Sequence, residues 1–490
     1  MVEAKKSGMS GRQRLGLWLG PVLFCVTLII PAPASMPPLG MKVAAVTVLM
    51  AVFWIMEAIP LAATALLPIA LFPLLGVLPT AKVTVSYANH LIYLFMGGFL
   101  IAAAIEKWQL HKRIALRTVS LVGVSPKRIV LGFMLATGFL SFWISNTAAA
   151  MMMVTIGIAL LHQLNGGQDT SAETDQEGRS NFATALMLGI AYAASIGGVA
   201  TLIGTPPNAI LAGIAEKRYG IVIGFARWME FAAPLAVVML LATWYFLTHI
   251  AFRSSLRELP GGKAVIREQL AALGPMSRQE RRVLTVFAVV VAAWLFRGLL
   301  HIKALAEVTD SSVAITGALL LFMIPADWRK GEFLLDWQTA VRIPWDIIIL
   351  FGGGFALAGG FGASGLTGWL GNQLSFLHGV GVVTTTLCVV VLVIFLTEVT
   401  SNTATASLML PIMGGFALAA DIPPLALMAG AALAASFAFM LPVATPPNAI
   451  VFGSRQVTIP QMVRAGWWMN LFGTLLITLF VSAFYKHLAS

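Results

Sequence analysis

Ser145-Asn146-Thr147-Ala148-Ala149-Ala150 is a polar triplet running into alanines, set between the apolar runs Ile129 to Ile144 and Met151 to Leu161. Each run has about 11 to 16 residues, enough to reach the middle of a bilayer as a helix and short of the roughly 20 needed to cross it. The stretch reads as a re-entrant helical hairpin with the triplet at its tip. Ser145 suits an N-cap, because its hydroxyl can accept from a free N–H of the second arm, and alanines sustain a helix. A helix start at membrane depth offers unpaired N–H groups and a partial positive charge, which favours an anion. Non-helical backbone is tolerated there only against protein or a water-filled cavity. The stretch is expected to form one wall of a binding site.

The wall occurs twice. Ser401-Asn402-Thr403-Ala404 repeats the tetrad 256 positions on, between Val380 to Leu396 and Leu408 to Ala420. At the same offset Leu94-Phe95-Met96-Gly97-Gly98-Phe99 matches Leu350-Phe351-Gly352-Gly353-Gly354-Phe355. Thr205-Pro206-Pro207-Asn208-Ala209-Ile210 returns unchanged as Thr445-Pro446-Pro447-Asn448-Ala449-Ile450, 240 positions on, the shorter offset reflecting a polar loop between Gln163 and Asn181 in the first copy alone. Three matches in one order imply an internal duplication. The plainer reading, Ser, Asn and Thr merely bonding between packed helices, does not account for duplicated triplets paired with duplicated breaks.

With 59% hydrophobic and 10% charged residues in 490, the chain is a polytopic membrane protein of all-α class. Eleven spans are expected: Leu15 to Ile30, Met41 to Met56, Leu61 to Val77, Leu91 to Ile105, Phe182 to Ala215, Met229 to Ile250, Val283 to Leu300, Val313 to Ile324, Trp345 to Ala358, Leu425 to Phe452 and Trp467 to Phe484, with the two hairpins extra. Thr205 and Thr445, each before two prolines, should break the fifth and tenth spans. Threading these with the N-terminus in the cytoplasm and the C-terminus outside puts 23 of the 31 Lys and Arg residues inside. The net charge of +11 then needs no nucleic acid. Residues 1–40 are the N-terminal cytoplasmic segment and first helix, 41–255 the first repeat with its hairpin 128–162 entering from the cytoplasm, 256–282 a cytoplasmic linker, and 283–490 the second repeat with its hairpin 380–420 entering from outside. The copies are inverted, an arrangement that secondary transporters use to place a site near the midplane. Gln168 to Arg179 reads as a solvated loop, and Lys107 to Arg117 as an amphipathic helix on the inner surface, with Phe361 to Leu377 as its uncharged outer counterpart.

The paired Ser-Asn-Thr tips and Thr-Pro-Pro-Asn breaks resemble the divalent anion/sodium symporter family, the sodium-coupled dicarboxylate and citrate carriers, over roughly Met41 to His487. The resemblance implies a homodimer in the plasma membrane, each protomer having a scaffold domain and a transport domain that moves like an elevator. It implies one sodium site at Ser141, Ser145, Asn146 and the backbone of Gly204, and another at Thr397, Thr400, Asn402 and the backbone of Ala444. It implies a di- or tricarboxylate between the tips, touched by Ser145, Asn146, Thr147, Thr205, Pro206, Ser401, Asn402, Thr403, Thr445 and Pro446. The chemistry agrees, since sodium is a hard cation that takes oxygen ligands. Sodium ordering a tip that then presents donors to the anion is positive coupling. Sodium is co-transported and no organic cofactor is expected. The competing readings are a sodium-independent exchanger or proton-coupled carrier, a passive anion channel, and an intramembrane hydrolase, which would need a base beside Ser145 or Ser401.

Glu398, beside the second tip, is expected as a structural acceptor for the hairpin backbone, with a proton site as the alternative. Glu57 reads as a polar cap and Arg297 as a snorkelling side chain. The glycines at 97–98, 197–198, 352–354 and 359–360 read as close helix packing, Met151 to Met153 as packing rather than metal ligation, and Cys25 and Cys388 as unpaired.

Overall fold

The computed structural model describes residues 9–33, 35–123, 125–165, 173–256, 262–297, 307–373 and 380–488. Parts of the loop after Gln163, the end of the seventh span after Arg297, the end of the Phe361 to Leu377 segment and the start of the linker lie outside them. The chain is built from helices because a backbone in hydrocarbon must satisfy its own N–H and C=O groups. In order they are α1 Gly11–Ile29, α2 Pro38–Met56, α3 Leu61–Ala65, α4 Leu67–Leu74, α5 Thr80–Thr84, α6 His90–Lys107, α7 Leu110–Val122, α8 Pro126–Ser141, α9 Asn146–Asn165, α10 Glu173–Gly198, α11 Pro206–Tyr219 and α12 Phe225–Tyr245. There follow α13 Gly262–Ala272, α14 Arg278–Phe296, α15 Asp310–Met323, α16 Trp337–Ala340, α17 Trp345–Ala363, α18 Leu366–Gln373, α19 Val382–Thr397, α20 Asn402–Ala419, α21 Pro424–Ala435, α22 Pro446–Gly453 and α23 Ile459–Phe484. A short antiparallel ribbon, β1 Pro325–Asp327 with β2 Glu332–Phe333, departs from the all-helical expectation.

Among the described residues seven helical stretches have the length and apolarity to cross a membrane unaided: Pro38–Met56, Thr80–Lys107, Glu177–Gly198, Phe225–Ala251, Trp345–Ala363, Asn402–Ala419 and Ile459–Leu488. Of the other expected spans, the first and seventh form 19-residue helices that are less apolar, and the rest are shorter or broken. The third divides at Leu66, where Pro68 starts a new helix, and the fifth and tenth each become two helices. The hairpins' second arms are longer than expected, 20 residues for α9 and 18 for α20, because each triplet's Asn already belongs to the helix.

The duplicated segments face each other. Phe95 on α6 and Phe351 on α17 meet edge to face at 4.8 Å. Glycines let neighbouring helices close on one another: a Cβ at Gly97 would lie 2.6 Å from Ala314 Cβ of α15, one at Gly353 2.5 Å from Ala65 O of α3, and one at Gly197 2.3 Å from Gly138 O of α8. The packing reading holds for these three. Met153 is fully buried and packs in the core beside α10, and both cysteines are free.

Four expectations change. The residues from Glu173 to Arg179 begin α10 rather than form a loop, and Phe361 lies within α17, so the counterpart surface helix starts at Leu366. Arg113 is not on the surface face of α7: it is buried, with Nε 2.7 Å from Glu280 Oε1 and Nη1 2.9 Å from Gly274 O, joining α7 to the start of α14. Glu280 accepts besides from its own N-cap, Ser277. Burial pushes its carboxyl up, but the Arg113 and Ser277 bonds outweigh that and hold it below its ordinary value. Arg297 does not snorkel; its guanidinium lies 2.9 Å from Asp310 Oδ1, while Asp310 Oδ2 accepts the Phe225 N–H at the start of α12.

Candidate functional site

Each tip is a four-residue gap between helices, Phe142 to Ser145 and Glu398 to Ser401. Ser145 Oγ accepts the Ala148 N–H at 3.2 Å, the N-cap its sequence called for. Ser401 precedes α20 without a side-chain cap, its carbonyl accepting from Thr405 at 2.8 Å.

The breaks follow the same plan in both copies. α10 stops at Gly198 and α11 starts at Pro206 with Thr205 extended before it; α21 stops at Ala435 and α22 starts at Pro446 with Thr445 extended. Proline at the first helical position suits a start, since its missing N–H would be unpaired there anyway. The carbonyls freed by each break are collected by the Asn two residues after the first proline. Asn208 Nδ2 donates to Thr201 O at 2.7 Å, Val199 O at 3.1 Å and Gly198 O at 3.3 Å; Asn448 Nδ2 donates to Leu441 O at 3.0 Å and Ala438 O at 3.1 Å. Both asparagines are fully buried. Their role was missed in the sequence, although their place in the duplicated motif was the signal.

In each copy one hydroxyl ties the tip to the helix that ends at the break. Ser141 Oγ bonds Ala194 O at 2.7 Å and Asn146 Oδ1; Thr397 Oγ1 bonds Ala435 O at 2.9 Å and Asn402 Oδ1 at 2.8 Å. A hydroxyl has one proton, and that of Thr397 faces two acceptors, so the second cluster holds more oxygen than hydrogen. Ala194 O and Gly204 O also stand 3.2 Å from the terminal atom of the Asn146 carboxamide nearest Ser141. As nitrogen that atom donates to all three oxygens; as oxygen it joins them in a cluster suited to a hard cation. The first proposed sodium set is thus brought together at Ser141, Asn146 and Gly204, with Ser145 facing the neighbouring cavity. In the second, Thr397 and Asn402 meet, but the Thr400 hydroxyl is engaged with Leu396 O at 2.9 Å and Thr405 Oγ1.

Between the tips lies a cavity of about 420 Å³. Ser145, Asn146, Thr147, Thr205, Pro206, Ser401, Asn402, Thr403, Thr445 and Pro446 all line it, with Gly204 and Ala444. Four helix starts, those of α9, α11, α20 and α22, therefore surround one space, and their partial positive charges add there. Among the described residues that line it there is no Lys, Arg or His, whereas Glu57 and Asp346 are present. Glu57 ends α2 in a left-handed conformation, φ 50°, exposed to this cavity.

Glu398 is buried and accepts from the N–H groups of Phe439, Met440 and Leu441 at 2.7 to 3.1 Å and from Asn470 Nδ2 at 2.8 Å. It is a structural acceptor, but for the backbone of the facing break instead of its own hairpin. The first copy has Phe142 at the equivalent position, where Thr201 Oγ1 donates to the Phe142 carbonyl at 2.6 Å. Arg12 of α1 also reaches the second tip, donating to Val399 O at 2.9 Å and to Ile55 O at the end of α2.

Residues 13–490 match the family model described as the sodium:sulfate symporter transmembrane region. A protein of Staphylococcus saprophyticus called sodium-dependent dicarboxylate transporter SdcS is 46% identical over 96% of this chain and 91% of its own; the Staphylococcus aureus protein of the same name is 46% identical over 97% and 92%. Among solved structures the fold is similar to the YdaH transporter of Alcanivorax borkumensis, TM-score 0.59 at 12% identity over 97% and 98% of the two chains. It is also similar to MtrF of Neisseria gonorrhoeae, TM-score 0.52 at 12% identity over 97% and 95%. By sequence the chain is a membrane transporter and not an enzyme, and it belongs to the sodium:sulfate symporter family, the divalent anion/sodium symporters.

Proposed function

We propose that the chain imports a C4-dicarboxylate such as succinate, malate or fumarate, or citrate, in symport with sodium. The observation that carries this is the cavity itself: four helix starts and two clusters of hydroxyl, carboxamide and carbonyl groups converge on a space with no basic side chain among its described lining residues. Helix starts and bound cations are then what meets a dianion there. Sodium first turns the clusters into ordered tips, and the anion completes the site, so each raises the other's affinity. The names of the 46% identical staphylococcal relatives favour the same substrates.

The architecture that fits is eleven crossing helices and two re-entrant hairpins in two inverted repeats, with N-terminus cytoplasmic and C-terminus outside, assembled as a homodimer in the plasma membrane. The scaffold is α1 to α6 with α14 to α17; the transport domain carries the tips and breaks. The second tip, entering from outside, is held by Arg12 at the cytoplasmic end of α1 and α2, which favours an inward-facing position of the elevator. The test is labelled succinate uptake into proteoliposomes with external sodium replaced by choline. Loss of uptake is expected; undiminished exchange of internal for external succinate without sodium would overturn the symport reading.

A further inference from the structure

A second cavity of about 330 Å³ adjoins the first, and Phe99 and Ser145 line both. Whatever leaves the first cavity past these two residues enters the second. Its far wall carries Lys107, Thr339 and Arg342, with Glu106 beside Lys107. The two cations differ. Lys107 Nζ lies 2.8 Å from Asp336 Oδ2, 3.0 Å from Phe333 O and 3.8 Å from Glu332 Oε1, so its charge is matched. That bond holds the Asp336 carboxyl down at about 2. Arg342 is exposed and its guanidinium has no hydrogen bond or ion pair to any described residue. Its position is fixed by the backbone, its own N–H donating to Thr339 O at 3.1 Å and Ile343 beside it buried. Glu106, on the Lys107 side, likewise has no ion pair among the described residues.

We infer that this vestibule is a second, weak anion subsite, in which Arg342 receives the carboxylate leaving the central cavity on its way to the cytoplasm. The inference rests on the proposed inward-facing carrier. A guanidinium is a planar fork matched to a carboxylate. Lys107, held by Asp336, leaves Arg342 as the cation free to take the role. Glu106 and Asp336 balance the two cations, which keeps the subsite weak. A site on an exit path has to be weak, because a tight one would trap the anion.

The test compares the two faces of the carrier. Wild type, Arg342→Gln and Arg342→Lys are reconstituted, and succinate KM is measured at saturating sodium in right-side-out and inside-out vesicles. Arg342→Gln should raise KM at the cytoplasmic face about tenfold, as loss of a partly solvated charged hydrogen bond would, and leave the external KM within about twofold. Arg342→Lys should recover part of the loss. Sulfate at the cytoplasmic face should compete through the same residue, showing that the subsite reads a dianion rather than a carbon skeleton. An independent readout uses Ala103→Cys, a residue that lines only the vestibule, in a background with Cys25 and Cys388 replaced by serine. Succinate should slow thiol labelling there when Arg342 is present and not when it is Gln. Equal KM changes at both faces, or equal protection in both backgrounds, would overturn the inference. Absence of sodium-dependent uptake by the wild type would instead overturn the carrier reading beneath it.

Discussion

Removing the Glu398 carboxylate should loosen the second break and, through it, the second tip. The side chain is 3% exposed and takes four donors, three of them backbone N–H groups that an unwound turn cannot satisfy from within. Leaving a buried donor unmade costs about 1–3 kcal/mol. In Glu398→Ala all four are orphaned, so the loss is on the order of 4 kcal/mol or more, a large part of the total stability of a domain. Glu398→Gln retains one acceptor oxygen for Phe439 and Met440 but turns an NH2 toward the Leu441 N–H, a loss of about 2–4 kcal/mol. Glu398→Asp is about one methylene short of the same backbone. The assay is the midpoint of heat-induced loss of monodisperse protein, with and without sodium, beside the pH profile of uptake. The expected order is wild type, then Gln, then Ala. A melting point unchanged in Glu398→Ala, or a stable Glu398→Gln whose uptake loses its pH dependence, would refute the structural role and make Glu398 a proton site.

Asn146→Ala and Asn402→Ala should each abolish sodium-dependent uptake while the protein stays folded in the membrane, because each removes a cluster oxygen worth about 2–3 kcal/mol, or about 30- to 150-fold in sodium affinity; normal sodium activation in both would remove the assigned sites. Gly197→Ala should disrupt the seam between α8 and α10, since its Cβ would fall 2.3 Å from Gly138 O and neither backbone can yield, whereas Gly157→Ala, which meets the flexible end of Met187 at 3.0 Å, should be tolerated; yields of monodisperse protein distinguish them. Glu280→Gln should destabilise by about 3–5 kcal/mol by leaving Arg113 buried without its partner. Because the folded carboxyl lies below its ordinary 4.5, the pair stabilises fully above that pH and loses its contribution as pH falls through the folded value. The melting point of wild type should therefore drop more steeply below pH 4.5 than that of Glu280→Gln.

The sequence by itself determined the membrane class, the duplication and the positions of the tips and breaks, because each depends on local signals: apolar length, a polar triplet too deep for an apolar role, and proline pairs that end a helix; the residues expected around the central cavity came from the family resemblance those motifs carry. Ser145 as an N-cap and Glu398 as an acceptor were legible for the same reason. What only the tertiary structure decided is which groups meet once the helices pack. Asn208 and Asn448 gather carbonyls seven to ten residues away, Glu398 holds a backbone 41 residues on, Arg113 finds Glu280 167 residues later, and Arg12 reaches Val399 across 387. No periodicity encodes such partners. A buried charge or amide announces in the sequence that it needs a counterpart, but packing alone chooses which one it receives.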